Sequence, residues 1–176
     1  VMDCSLPGHG ARLENLDPVR AHVTVSHEDL RNLPAVAEQV RGQDIIFNLA
    51  GQVGHLESMT DPLTDLDING RAQLGLLEAC RQHNPGVTIV FTSTRQVYGR
   101  AVQLPITESH PIAPVDVNGV SKRTGEMFYE LYHRVYGLRS VCLRLTNTYG
   151  PRMNLEGDST GFLSVFLRRT LQGMPL

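Results

Sequence analysis

Lysine is nearly absent from this chain. Of its 16 basic residues, Lys122 is the only lysine and the rest are arginine. An ordinary surface position accepts either residue, whereas a site that needs a compact, titratable ammonium accepts only lysine, so Lys122 is singled out before any fold is considered. Tryptophan is missing altogether, and the three cysteines, Cys4, Cys80 and Cys142, are far apart with no CxxC pair. They read as small buried hydrophobes in a reducing compartment rather than as a disulfide framework. The seven histidines show no HExxH or comparable ligand spacing, and no metal site is expected. No run approaches the roughly 18 apolar residues of a membrane-spanning helix. The first ten residues, VMDCSLPGHG, have no positive segment leading into an apolar one, so a cytoplasmic location is expected. Net charge is −2 with arginines scattered, which argues against nucleic acid as the main partner.

What is present is an alternation of strand and helix. VTV (23–25) reads as a short strand, followed by a helical face at Leu30, Leu33, Val36, Ala37 and Val40. DIIFNLAG (44–51) is a near-continuous apolar strand. TDP (60–62) opens a helix with Pro62 in its first turn and a stripe of Leu63, Leu66, Leu74 and Leu77. TIVFTSTR (88–95) is the next strand and 100–117, with three prolines, a loop. A helix over about 118–136 shows Val120, Met127, Phe128, Leu131 and Val135 on one side and a Glu130–Arg134 pair on another. LRSVCLRL (138–145) is a further strand, and 162–173 a helix ending at Gly173. Strands apolar on both faces and alternating with helices predict an α/β fold with a parallel sheet covered on both sides, ligands lying at the carboxyl ends of the strands.

NLAGQV, DINGRAQLGLLEAC, FTSTRQVYG, PVDVNGVSKRTGE and LRLTNTYGPR occur in that order. Together they resemble the extended short-chain dehydrogenase/reductase family, in particular its NAD-dependent nucleotide-sugar epimerases and dehydratases. NLAGQV and the helix after it are most similar to the CDP-tyvelose epimerase branch, which does not specify a substrate here. The resemblance implies a Rossmann-like doubly wound sheet, NAD as cofactor, a nucleotide-sugar substrate and a homodimer built on helices near 62–83 and 118–136. It places Asp3 at the adenosine ribose, Asp29 and Leu30 beside the adenine, and Ala50, Gly51 and Gln52 against the pyrophosphate and nicotinamide ribose. Asn69 matches the asparagine of the long helix. Thr94 matches the hydroxyl residue that polarises the sugar alcohol, and Lys122 the lysine that holds the nicotinamide ribose. Asn147 and Arg152 fall on the sugar-diphosphate side, with His55 and Glu57 in a sugar-facing loop. Arg95 suits either a phosphate or carboxylate ligand or a surface salt link, and Tyr98 either packing or a displaced base.

One position departs from the family pattern. Four residues before Lys122, where the family has its catalytic tyrosine, stands Asn118. An amide has no accessible proton to lose near neutral pH and cannot act as the general base. Asparagine is, however, among the best helix N-caps, and that role is expected for it. The glycine-rich GxxGxxG turn of the family is also missing. The expectation is therefore an incomplete Rossmann-like fold: 1–150 a partial NAD-binding domain without its first strand and glycine-rich loop, and 151–176 the start of a substrate domain. Three readings stay open: an NAD-dependent epimerase or dehydratase, a noncatalytic NAD or nucleotide-sugar binding protein, and an inactive fragment of such an enzyme.

Overall fold

Three parallel strands carry the chain's core: β1 (Ile45–Asn48), β2 (Thr88–Thr94) and β3 (Arg139–Leu145), in the order β1-β2-β3. The computed structural model describes residues 1–5, 12–155 and 162–176, so part of the 151–176 segment lies outside the described residues. The expected strand at 23–25 is reduced to a single parallel bridge between Met2 and Ser26, beside a hydrogen bond from the Asp3 amide to the Ser26 carbonyl.

Helix α1 (Leu33–Gln39) precedes β1, and its Val36 belongs to the core. Between β1 and β2 run α2 (His55–Thr60), α3 (Pro62–Leu66), a π-type turn over Asp67–Arg71, and α4 (Ala72–His83). The last three form one continuous helical rod. Asp61 caps it through a bond from the Thr64 amide, with Pro62 in the first turn as expected. Helix α5 (Val117–Tyr136) connects β2 to β3, and α6 (Phe162–Leu171) follows.

Strand order is sequential, so two crossovers of the usual right hand lay α4 and α5 on the same face of the sheet. The core accordingly joins Leu76, Leu77 and Cys80 of α4 to Ile89 and Phe91 of β2 and Tyr129 and Tyr132 of α5. The Phe91 and Tyr129 rings stack with centroids 4.7 Å apart. Within it, Asn48 donates to Gln73 Oε1 (2.5 Å) and to the Tyr129 hydroxyl (2.9 Å), a satisfied polar knot. The opposite sheet face is apolar in sequence, as predicted. Among the described residues it is left exposed at Phe47 (66%) and Val141 (49%).

Two helix faces differ from the periodicity. In the 62–83 rod Leu77 is buried and Leu74 packs on the core, but Leu63 and Leu66 are exposed. The intervening π-type turn takes more residues per turn and shifts the phase of the stripe. In α5 the apolar side, Val120, Met127, Leu131 and Val135, faces outward, while Asn118, Ser121, Lys122, Gly125, Glu126, Tyr129 and Tyr132 are buried. Glu130 pairs with Arg123 at 2.6 Å rather than with Arg134.

Candidate active site

The carboxyl ends of β1 and β2 meet the N-terminal turn of α5. Asp116 is the N-cap of that helix, its Oδ1 accepting from the Gly119 amide at 2.6 Å. This corrects the expectation for Asn118, which lies inside the first turn because the aspartate two residues earlier already satisfies the helix end. Gly119 is required to be small: a Cβ there would lie 2.9 Å from the Gln96 carbonyl oxygen and 3.1 Å from Asp116 Oδ1. That close approach seats the turn after Thr94 directly on the end of α5.

Asn118 is buried and both protons of its side-chain amide are engaged. Nδ2 donates to the Gln52 carbonyl (2.7 Å) and to Asp65 Oδ2 (3.0 Å), while its backbone amide donates to Ser58 Oγ at 3.3 Å. Asn69, in the π-type turn, donates to the same two acceptors at 3.0 and 3.1 Å. π-type turns recur at functional sites because they re-aim side chains that an unbroken helix would stack. Asp65 and Asn69 are both fully buried, and Asp65 Oδ1 and Asn69 Oδ1 have no hydrogen-bond partner among the described residues.

Lys122 reaches into the same place. Its ammonium donates to the Thr92 carbonyl at 3.0 Å and stands 5.1 Å from the centre of the Phe91 ring. Burial pushes its pKa down to about 8, with the Asp65 carboxylate acting in the opposite direction. A Cβ on Gly51 would fall 2.5 Å from Lys122 Nζ and 2.9 Å from Asn69 Oδ1, so only glycine leaves this cradle open.

Thr94 caps the short helical turn Arg95–Tyr98, its hydroxyl accepting from the Gln96 amide at 3.2 Å. Arg95 is exposed. Tyr98 is buried, and its hydroxyl accepts from Arg144 at 2.9 Å, which favours packing over the displaced-base reading. Arg144 also forms a two-pronged bond to the buried Glu126 (2.9 and 2.8 Å), and Arg123 holds Glu126 from its other side.

The structure thus joins Gln52, Asn69 and Asn118 with Asp65 in one hydrogen-bonded cluster, sets Gly51 against Asn69 Oδ1 and Lys122 Nζ, and leaves Thr94 two residues beyond Thr92, the partner of Lys122. No described hydrogen bond or ion pair joins the remaining predicted residues to that cluster. Asp3 accepts from the Ser5 amide and is exposed. Asp29 is gripped by Arg31 (2.9 and 2.7 Å), a bond that holds its carboxyl below the ordinary range. Leu30 packs on the core and Ala50 is exposed. Asn147 is exposed, and Arg152, at positive φ, donates to the Asn15 carbonyl at 2.9 Å. Sequence reasoning missed Asp65, Asp116 and Ser58. Asp116 had a signal, an aspartate just ahead of a helix; Asp65 had only its place four residues before Asn69.

The comparisons agree with this architecture. The model of the NAD dependent epimerase/dehydratase family matches residues 8–176. The chain belongs to that family. It is 33% identical over 129 residues to a putative UDP-glucose 4-epimerase of Methanocaldococcus jannaschii, covering 73% of this chain and 42% of that protein. It is 30% identical over 164 residues to the CDP-paratose 2-epimerase of Salmonella typhi, covering 83% and 48%. Among solved structures, the UDP-glucose 4-epimerase of Thermus thermophilus in complex with NAD superposes with a TM-score of 0.84 at 32% identity, covering 100% of this chain and 55% of that one. The UDP-N-acetylglucosamine 4-epimerase of Methanobrevibacter ruminantium gives 0.89 at 27% identity, covering 98% and 55%. The chain spans about half the length of these relatives. The Rossmann-like fold is therefore established for this chain, and no described helix is long and apolar enough to cross a membrane.

Proposed function

We propose that the protein acts as an NAD-dependent epimerase, or dehydratase, on a nucleotide-activated sugar through transient hydride transfer. One observation carries this reading. At the carboxyl end of the sheet a buried ammonium and the unpartnered Asn69 Oδ1 flank a residue that has no Cβ, and the Asp65 carboxylate bonded to Asn69 has a second buried oxygen without a partner. Buried polar atoms without partners call for a ligand that supplies hydroxyls or amides, and the Lys122–Gly51–Asn69 cradle fits the ribose side of NAD. When bound, NAD takes up and returns the hydride.

In this reading Lys122 holds the nicotinamide ribose, and Gly51 with Gln52 gives the diphosphate close access to backbone. Asp3, Asp29 and Leu30 form the adenosine side, and Ala50 lies with Gly51 and Gln52 against the pyrophosphate and nicotinamide ribose. Thr94 orients the sugar hydroxyl, and Arg95, Asn147 and Arg152 serve the sugar diphosphate, with guanidinium forks suited to its oxygens. Epimerisation ranks ahead of dehydration because Arg95 and Gln96 supply no acid/base pair after Thr94. Residues 1–150 would be the cofactor half and 151–176 the entry to the substrate half. The outward apolar residues of the rod and α5, among them Leu63, Met127 and Leu131, support a homodimer. The dispersed cysteines, none of them in a disulfide, support a cytoplasmic setting.

A second reading is favoured by Asn118, whose two amide protons are both held: a noncatalytic protein that binds NAD or a nucleotide sugar. Calorimetric titration with NAD, followed by incubation of the complete protein with UDP- and CDP-sugars, separates the two. Turnover gives transient NADH absorbance or an epimeric or dehydrated sugar. Binding of NAD or of a nucleotide sugar without either leaves the noncatalytic reading, and binding of none of them removes both.

A further inference from the structure

We infer that His55 and Asp116 form a dyad in which His55 Nε2 accepts the proton of the sugar hydroxyl, the task that Asn118 cannot perform. The inference rests on the hydride-transfer reading above. His55 Nδ1 lies 2.8 Å from Asp116 Oδ2. A carboxylate only accepts, so Nδ1 carries the proton and Nε2 presents a lone pair. Asp116 is buried, its other oxygen fixed by the Gly119 amide, whereas the His55 side chain is 51% exposed and Nε2 makes no hydrogen bond among the described residues. An acceptor nitrogen oriented by a buried carboxylate and open on its far side is the arrangement of a general base.

Its position agrees. His55 begins α2 immediately after the loop that carries Gly51 and Gln52. Asp116 caps the helix that carries Asn118 and Lys122, and the Gly119 contact brings the Thr94–Gln96 turn against that cap. Ser58 Oγ donates to the His55 carbonyl (2.8 Å) and accepts from the Asn118 amide, tying the dyad to the cluster. The other nearby candidates are occupied or unsupported. The Tyr98 hydroxyl is held by Arg144, and Lys122 donates to Thr92. Tyr149 is 79% exposed, with no described hydrogen bond to orient it.

The step balances. The hydroxyl O–H bond breaks and its proton passes to Nε2. The electron pair left on oxygen forms the carbonyl as the carbinol hydrogen leaves as hydride to NAD, so the sugar is oxidised by two electrons. On return the imidazolium gives its proton back to the oxygen.

The test uses the complete protein with His55→Gln and Asp116→Asn. Asparagine still caps a helix, but its amide can donate to Nδ1 and so moves the imidazole proton to Nε2. Nitrogen-15 NMR of the imidazole at about pH 8, where an ordinary imidazole is neutral, reads this without any turnover. The expected result is an unprotonated Nε2 in the native protein, a protonated one in Asp116→Asn, and conversion of the nucleotide sugar to its epimeric or dehydrated product slowed by about 10²- to 10⁴-fold in both variants. A native Nε2 that carries the proton overturns the dyad. So does a His55→Gln protein that turns over within threefold of an active wild type. A wild type that binds NAD yet converts neither UDP- nor CDP-sugars overturns the hydride-transfer reading, and the dyad falls with it.

Discussion

Asn118 and Asn69 donate their side-chain amides to the same two acceptors, the Gln52 carbonyl and Asp65 Oδ2, all four bonds lying between 2.7 and 3.1 Å. The residue at the family's tyrosine position is therefore part of a structural clamp. It locks the first turn of α5 to the π-type turn and to the loop that carries Gly51.

That sharing predicts non-additive energetics. Asp65→Ala withdraws one acceptor from each of two buried amides, a loss of about 1–3 kcal/mol for every donor left unpaired. In a double-mutant cycle, Asn69→Ala and Asn118→Ala should couple by about 0.5–3 kcal/mol, because both remove partners of one carboxylate oxygen. Urea unfolding of the four proteins measures the coupling. Strict additivity, or an unchanged midpoint for Asp65→Ala, contradicts the clamp.

Lys122 predicts an alkaline stability profile. Its pKa falls from the ordinary 10.5 to about 8 in the fold, so between those values the unfolded chain binds more protons than the native one. Stability then rises as pH climbs from about 8 toward 10.5 and carries a constant penalty below that window. Lys122→Met removes the penalty, on the order of 3–4 kcal/mol at about 1.4 kcal/mol per pKa unit, and loses about 1 kcal/mol with the bond to Thr92. The variant should be the more stable protein at neutral pH, with the gap closing near pH 10 while NAD affinity is lost. Parallel pH profiles for the two proteins would refute the assignment.

Glu126 predicts the opposite, acid-side behaviour. Burial alone would raise its pKa, but the bonds from Arg144 and Arg123 outweigh it and hold the carboxyl below its ordinary 4.5. The stabilisation is complete above that value and lost as pH falls through the lower, native one. Glu126→Gln leaves Arg144 without its counter-charge and should cost about 3–5 kcal/mol at neutral pH. Denaturation at pH 7 and pH 3 tests this, since the difference must shrink in acid.

Much of this was legible in the residue order. Apolar runs placed the strands, Asp61–Pro62 announced the rod, and the singular lysine pointed to the site. The ordered motifs led to the family that the comparisons then established. Legibility stopped at α5. Its apolar residues Val120, Met127, Leu131 and Val135 recur at helical spacing, which suits packing on the sheet and a subunit interface equally, and the face buried within this chain holds Asn118, Lys122 and Glu126 instead.

The chain's own order of residues determined where its strands and helices lie, because backbone preference and hydrophobic period act over a few neighbours. Only the tertiary structure decided which face of α5 turns inward. A polar group is buried when its partners are in place. Those partners, Gln52 and Asp65 for Asn118, Thr92 for Lys122 and Arg144 for Glu126, come from other segments of the chain, beyond the reach of any local pattern.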